Sequence, residues 1–328
     1  MKKSIKNYLH SFVLLGILLF IDQVYGDGDS FEYNQYNNYG IVGTIHTPSA
    51  RTFDEGVYGL TAYAGDPNQT VTLSASPFSW FEASFFYTNI QDRPYCYDFT
   101  SEFCLQDFKD KGFNVKARLK EQGVFPAIAI GLNDFAGTGL YSSEYIVGSY
   151  GIDNLDLHLG VGWGRLNGGQ LKYNNPLIHL DESFATRCLS FGCDIEDRQG
   201  GTFRFKDYFS GEKIGIFGGL SYKFNENWLF KMELDSTNIP ETSGFPERSS
   251  DYSLGFEYIR NDNFILAMNI IDWSAIIIAI IFQVMLFSLG MNFNKKLIRF
   301  SALAVYFGML LFFFAVFLSD VKLTYSAF

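Results

Sequence analysis

The chain has 328 residues, 48% hydrophobic and 18% aromatic, with only 18% charged and a formal net charge of -10. Such an apolar load excludes a disordered chain, and the acidity excludes a nucleic-acid binder, which needs clustered Lys and Arg against phosphate. A protein with a large core, or with a face for lipid, is left.

Residues 1–26 read as a signal peptide: Lys2, Lys3 and Lys6 precede the apolar run SFVLLGILLFI, and Val24-Tyr25-Gly26 supplies a small-residue cleavage site. Export is expected, with an uncleaved anchor as the alternative. No Cys lies near this site, so there is no lipid-attachment box. Residues 27–55 form an N-terminal segment whose YGIVGTIH is expected to add one strand.

From residue 56 to 270 the pattern has period two, the signature of strands. In NWLFKMELDST, Trp228, Phe230, Met232 and Leu234 alternate with Lys231, Glu233 and Asp235. In FNVKARLK, Val115, Ala117 and Leu119 oppose Lys116, Arg118 and Lys120. The alternation places strands near 56–65, 69–76, 79–89, 110–121, 124–133, 141–150, 155–165, 213–225, 227–237, 250–260 and 262–270. Tight turns at 77–78, 122–123, 152–153, 226 and 261–262 alternate with longer joins at 90–109, 134–140, 166–212 and 238–249. Short turns at one end and long loops at the other are the pattern of an outer-membrane barrel. The expected fold is therefore an all-β membrane protein, an antiparallel up-and-down transmembrane barrel of about 11–12 strands. Trp80, Tyr87, Trp163, Trp228 and Tyr258 are candidates for an interfacial girdle.

Cys96 and Cys104 share one long join, Cys188 and Cys193 another. Two loop-closing disulfides are expected in an oxidising compartment; zinc is the weaker reading, because the spacings are not paired CxxC and no His stands at ligand distance. Beyond residue 270 come two apolar runs, SAIIIAIIFQVMLFSLGM at 274–291 and FSALAVYFGMLLFFFAVFL at 300–318. Each has the length of a membrane-crossing helix, and Lys295, Lys296 and Arg299 between them favour a cytoplasmic loop, which conflicts with an outer-membrane destination. The chain ends in VKLTYSAF, whose strand alternation is imperfect.

YGIVGTIHTPSAR at 39–51, GLNDFAGTG at 131–139, SEYIVGSY at 143–150 and GVGWGRL at 160–166, in that order, resemble the YjbH/GfcD family of exopolysaccharide-associated outer-membrane proteins. The resemblance implies a Gram-negative outer-membrane β-barrel working in exopolysaccharide or capsule production or secretion, with other polysaccharide export proteins as partners. It carries over no catalytic residue. Family members are longer, with more barrel and a further domain after this region.

Readings as an enzyme are weak. NDFAGTGLY has no GxxxxGK[ST] and no helix after it, so a glycine-rich turn is favoured over a phosphate loop. His46, His158 and His179 make no HExxH, and no GxSxG elbow is present. Glu82, Glu233, Asp235 and Glu257 could be imagined as paired acids, but polar residues lining a barrel have a simpler use. No enzyme activity, cofactor or metal is expected. The polar face offers Lys116, Arg118, His158, Lys223, Lys231, Glu233 and Asp235 as lumen groups that could contact a sugar polymer; a polar wall without ligand preference is the plain alternative. A structural or adhesive outer-membrane protein, and a β-domain tethered to the inner membrane by the C-terminal helices, stand as the other function classes.

Overall fold

The computed structural model describes residues 34–65, 67–95, 106–187, 203, 205–238, 250–261, 264–271 and 323–327. The expected leader, the four cysteines and the two apolar runs lie outside the described residues. The strands are β1 (Val57–Ala64), β2 (Asn68–Phe78), β3 (Phe81–Tyr95), β4 (Gln106–Lys120), β5 (Ala127–Asn133), β6 (Ser143–Ile152), β7 (Leu155–Gly162), β8 (Lys172–Asn174), β9 (Lys213–Asn225), β10 (Trp228–Leu234), β11 (Tyr252–Asn261), β12 (Phe264–Ile270) and β13 (Leu323–Ala327). All belong to one 13-stranded antiparallel sheet.

Alternating Phe, Tyr, Leu, Val and Thr favour these strands because branched and aromatic side chains fit a pleated surface. All eleven expected strands are present. β3 and β4 run further than the alternation indicated, to Tyr95 and from Gln106, across an irregularity between Ile90 and Pro94. Asp153 and Asn154 make a two-residue hairpin between β6 and β7; Asp153 takes a φ of 47°, which a short polar side chain tolerates.

Neighbours in sequence pair from β1 to β7; β9 pairs with β7, β8 and β10; pairing continues from β10 to β13, and β13 pairs with β1. The strand beside β1 is thus drawn from residues 323–327, within the ending VKLTYSAF, and not from YGIVGTIH. That expectation is corrected: YGIVGTIH is bent by Gly40, at a φ of 69°, and makes only isolated bridges, Tyr36 to Val42 and Gly43 to Pro48.

Burial along the strands is inverted relative to a soluble sheet. Leu60, Leu73, Phe85, Phe113, Leu266 and Met268 are exposed, Leu73 by 58%, while their small or polar neighbours Thr61, Thr72, Ser84, Asn114, Ala267 and Asn269 are buried, as are the charged Lys116 and Lys231 at 1% each. A water-soluble domain hides its leucines and solvates its lysines. Among the described residues no helix is long and apolar enough to cross a membrane, which says nothing about crossing by strands.

One girdle candidate is corrected. Trp80, Tyr87, Trp228 and Tyr258 are exposed, but Trp163 is buried, its indole N–H donating to Asn175 Oδ1 at 3.1 Å. It follows β7 and packs edge-on against Phe209, so it serves the packing of the long join instead of an outer band.

Candidate functional site

The buried polar face holds a peptide, the chain's own residues 34–52. Asn37 Oδ1 accepts from the N–H groups of Tyr39 (3.0 Å) and Ile41 (3.1 Å), and Asn37 Nδ2 donates to the His46 carbonyl (2.9 Å), folding the segment on itself. Asn34 Nδ2 donates to the Thr52 carbonyl at 2.8 Å, which brings the two ends together. Thr52 Oγ1 donates to Ser79 O, in the turn between β2 and β3, and Arg51 donates to Gln122, in the turn between β4 and β5. The segment is therefore a hairpin whose open ends lie at the short-turn end of the sheet and whose tip lies deeper along the strands.

Strands from all parts of the sheet order seat it. Ser74 of β2 donates to Gly40 O (2.6 Å), Ser149 of β6 accepts from Ala50 N (2.8 Å), and Asn269 of β12 reaches Asn38 (3.3 Å). Glu82 of β3 accepts from Val42 N at 2.8 Å while Lys116 of β4 donates to Val42 O at 2.8 Å. Glu233 of β10 accepts from the backbone N–H groups of Ile45 (2.9 Å), His46 (3.0 Å) and Thr47 (3.0 Å), and from Thr47 Oγ1 (2.8 Å). Lys231 donates to Thr44 O (2.6 Å), and His158 Nε2 meets Thr44 Oγ1 at 2.8 Å.

Hydrogen bonds to charged groups contribute roughly 1.5–3 kcal/mol each, whereas burying an ion without a partner costs several kcal/mol, so the placement of counter-charges decides whether the site holds. Both lysines are answered within the sheet: Lys116 by Glu82 at 3.1 Å, Lys231 by Glu257. The peptide brings partners for two further carboxylates, a guanidinium for Asp156 of β7 and an imidazole for Asp235, which follows β10. Arg51 forks onto Asp156, Nη2 to Oδ1 at 2.8 Å and Nε to Oδ2 at 3.2 Å, and His46 Nδ1 lies 2.7 Å from Asp235 Oδ2.

His46, Glu233 and Asp235 bring ligand-type atoms within 4.8 Å of one another. Their lone pairs already meet protein donors: three N–H groups and a hydroxyl on Glu233, and the imidazole on Asp235. The trio is a seat for the peptide turn.

Of the seven polar residues expected to line the interior, Lys116, His158, Lys231, Glu233 and Asp235 converge on this peptide. Arg118 instead pairs with Glu121 at 2.8 Å near the short-turn end, and Lys223 is half-buried at the same end of β9. Sequence reasoning missed the peptide itself as the occupant, with Arg51 and His46 as its anchors. It also missed the use of Asp156. The available signal was a run of 13 residues, YGIVGTIHTPSAR at 39–51, that follows no strand or helix period yet carries apolar residues throughout.

At the long-loop end the NDFAGTG stretch is a turn, as its glycines suggested. Asp134, at a φ of 50°, accepts from Tyr141 N at 3.0 Å, and its own N–H donates to Asn114 Oδ1 at 3.0 Å. Thr138 Oγ1 donates to Asp110 Oδ1 at 2.8 Å. Leu140 and Tyr141 then pack on Phe86 and Ile90. Burial, reinforced by the nearby Asp110 charge, raises the Asp134 carboxyl well above its ordinary range. Arg187, from the join after β7, folds back onto buried Glu144 (Nη2 to Oε1, 2.9 Å).

The family model described as "Exopolysaccharide biosynthesis protein YbjH" matches residues 35–296, most of the sheet and all but the first residue of the buried peptide. The chain belongs to the YjbH family. Escherichia coli (strain K12) has a relative named "Uncharacterized lipoprotein YjbH", 32% identical over 232 residues, 69% of this chain. The match spans 32% of that relative's length, so the chain is much shorter than this YjbH protein. Among solved structures, the NanC porin is similar with a TM-score of 0.32 and 10% identity, over 66% of this chain and 87% of the porin chain.

Proposed function

We propose that this YjbH-family chain is an outer-membrane β-barrel protein that serves exopolysaccharide biosynthesis or secretion without covalent chemistry. The inverted burial carries the reading: the sheet turns leucine and phenylalanine outward and lysine and glutamate inward, which suits a hydrocarbon exterior and a polar lumen. Two features support closure. The pairings lead from β1 through β9 and β13 back to β1, and the enclosed peptide is held from strands all along the sheet order. Closure matters because lipid offers no hydrogen-bond partner to an open strand edge.

The family description supplies exopolysaccharide, and the relative's name, a lipoprotein, supports an envelope location. The buried carboxylates are engaged in seating the peptide, which favours a binding or transport role over catalysis. Sugar polymer, outer-membrane lipid and other export proteins are the partners this role requires.

Membrane fractionation with gel mobility before and after heating tests the barrel, which should migrate faster unheated in the outer-membrane fraction. Loss of secreted exopolysaccharide on deletion of the gene tests the role. Recovery in the inner-membrane or soluble fraction, with no heat-modifiable band, would sink the barrel reading. The filled interior favours one second reading, a permanently sealed structural or adhesive barrel, for which deletion would leave secretion unchanged.

A further inference from the structure

We propose that the residue 34–52 hairpin is a movable plug, and that the lumen it uncovers accepts a neutral or cationic sugar chain and excludes an anionic one; this rests on the barrel reading. Where Arg51 and His158 meet, the seated hairpin leaves little room beside the wall. The cavity between it and the wall, lined by Thr44, Arg51, Asp156 and His158, measures about 10 Å³, roughly the space of one water.

The geometry permits exit. Asn34 and Thr52 touch at the short-turn end, so among the described residues both ends of the hairpin lie at the end through which it can leave as a loop. Neither wall lysine is orphaned by departure, because Lys116 keeps Glu82 and Lys231 keeps Glu257. What departure uncovers is acidic. Glu233 loses three backbone N–H groups and a hydroxyl, Asp235 loses His46, and Asp156 loses Arg51. Sugar hydroxyls, or an amino sugar's ammonium, donate hydrogen bonds as those plug groups did, whereas a uronate or phosphate polymer meets like charge.

Ala50 N and Ser149 Oγ lie 2.8 Å apart, so the pair Ala50→Cys/Ser149→Cys staples plug to wall. In cells the stapled chain should secrete as little polymer as the deletion strain, and the same doubly substituted chain should recover secretion once reductant opens the staple. Normal secretion by a chain whose staple is verified would overturn plug movement and leave the barrel reading, judged by fractionation, intact. In planar bilayers the full chain carrying His46→Ala/Arg51→Ala should open roughly tenfold more often than wild type. In a KCl gradient its reversal potential should report cation preference, and adding Glu233→Gln/Asp235→Asn should move that potential toward zero. Silence of the loosened variant, or anion preference, overturns the proposal.

Discussion

Glu82 and Lys116 face each other across the β3–β4 register, 3.1 Å apart, and together grip one residue of the plug: the carboxylate takes the Val42 N–H and the ammonium its carbonyl. The pair does for Val42 what a neighbouring strand does for a residue in a sheet, offering one acceptor and one donor. It also neutralises itself, so the plug need supply no charge there.

Removing one partner should therefore hurt more than removing both. Lys116→Met leaves Glu82 buried without its cation and should cost about 3–5 kcal/mol, as should Glu82→Leu for the lysine. The double variant should lose clearly less than the sum of the two. Urea unfolding of the protein refolded into detergent, followed by the heat-dependent gel shift, gives the cycle; additive losses would deny that the pair acts as a unit.

Gly40 sits at a φ of 69°, and a Cβ there would overlap the Thr72 side chain. Gly40→Ala should unseat the plug tip, since both the backbone region and the space disfavour a side chain. Trypsin should then cut at Arg51, buried in the wild type, while the strands stay protected. Equal resistance of variant and wild type would count against a tightly seated tip.

The exposed leucines separate membrane from water directly. Leu73, on the outer face of β2 beside Leu60 and Phe85, should lose about 2–4 kcal/mol of folding stability in lipid vesicles on Leu73→Arg if it lies near the bilayer midplane. For a soluble surface the same change is worth within about 0.5 kcal/mol. Thr72→Arg, one residue along and buried, should be severe in either case and serves as control.

Asp134 gives a pH dependence whose sign can be worked out. Its folded pKa is raised by burial and by Asp110, so the folded loop binds the proton more tightly than the unfolded chain does. Its contribution is full at pH values below the ordinary carboxylate range and is lost as pH rises through the raised value. Asp134→Asn keeps an acceptor for Tyr141 N, tolerates the positive φ, and removes the repulsion with Asp110. Protection of the 134–142 loop from hydrogen exchange should decline with rising pH in the wild type and stay level in the variant. Identical profiles would assign the dependence to another group.

The eleven central strands were legible because a strand is a local object: alternation in stretches such as FNVKARLK and NWLFKMELDST decides which side chains share a face whatever lies beyond. The turn after β5 was legible for the same reason, since NDFAGTG carries its own backbone preferences, and the turn after β6 was read one residue early, at 152–153 where Asp153-Asn154 makes it. Which face meets protein and which meets the outside was an inference from loop lengths; the burial of Lys116 and Glu233 and the exposure of Leu73 decided it. The fate of residues 34–52 was not legible at all. Their hydrogen bonds run to Glu82, Ser149, Asp156 and Glu233, 40 to about 190 positions away, and no local pattern encodes a partner at that distance. Alternation determined a sheet with one oily side and one polar side; only the tertiary structure decided that the polar side takes up residues 34–52 of the same chain, because a buried carboxylate must find its donors wherever the fold brings them.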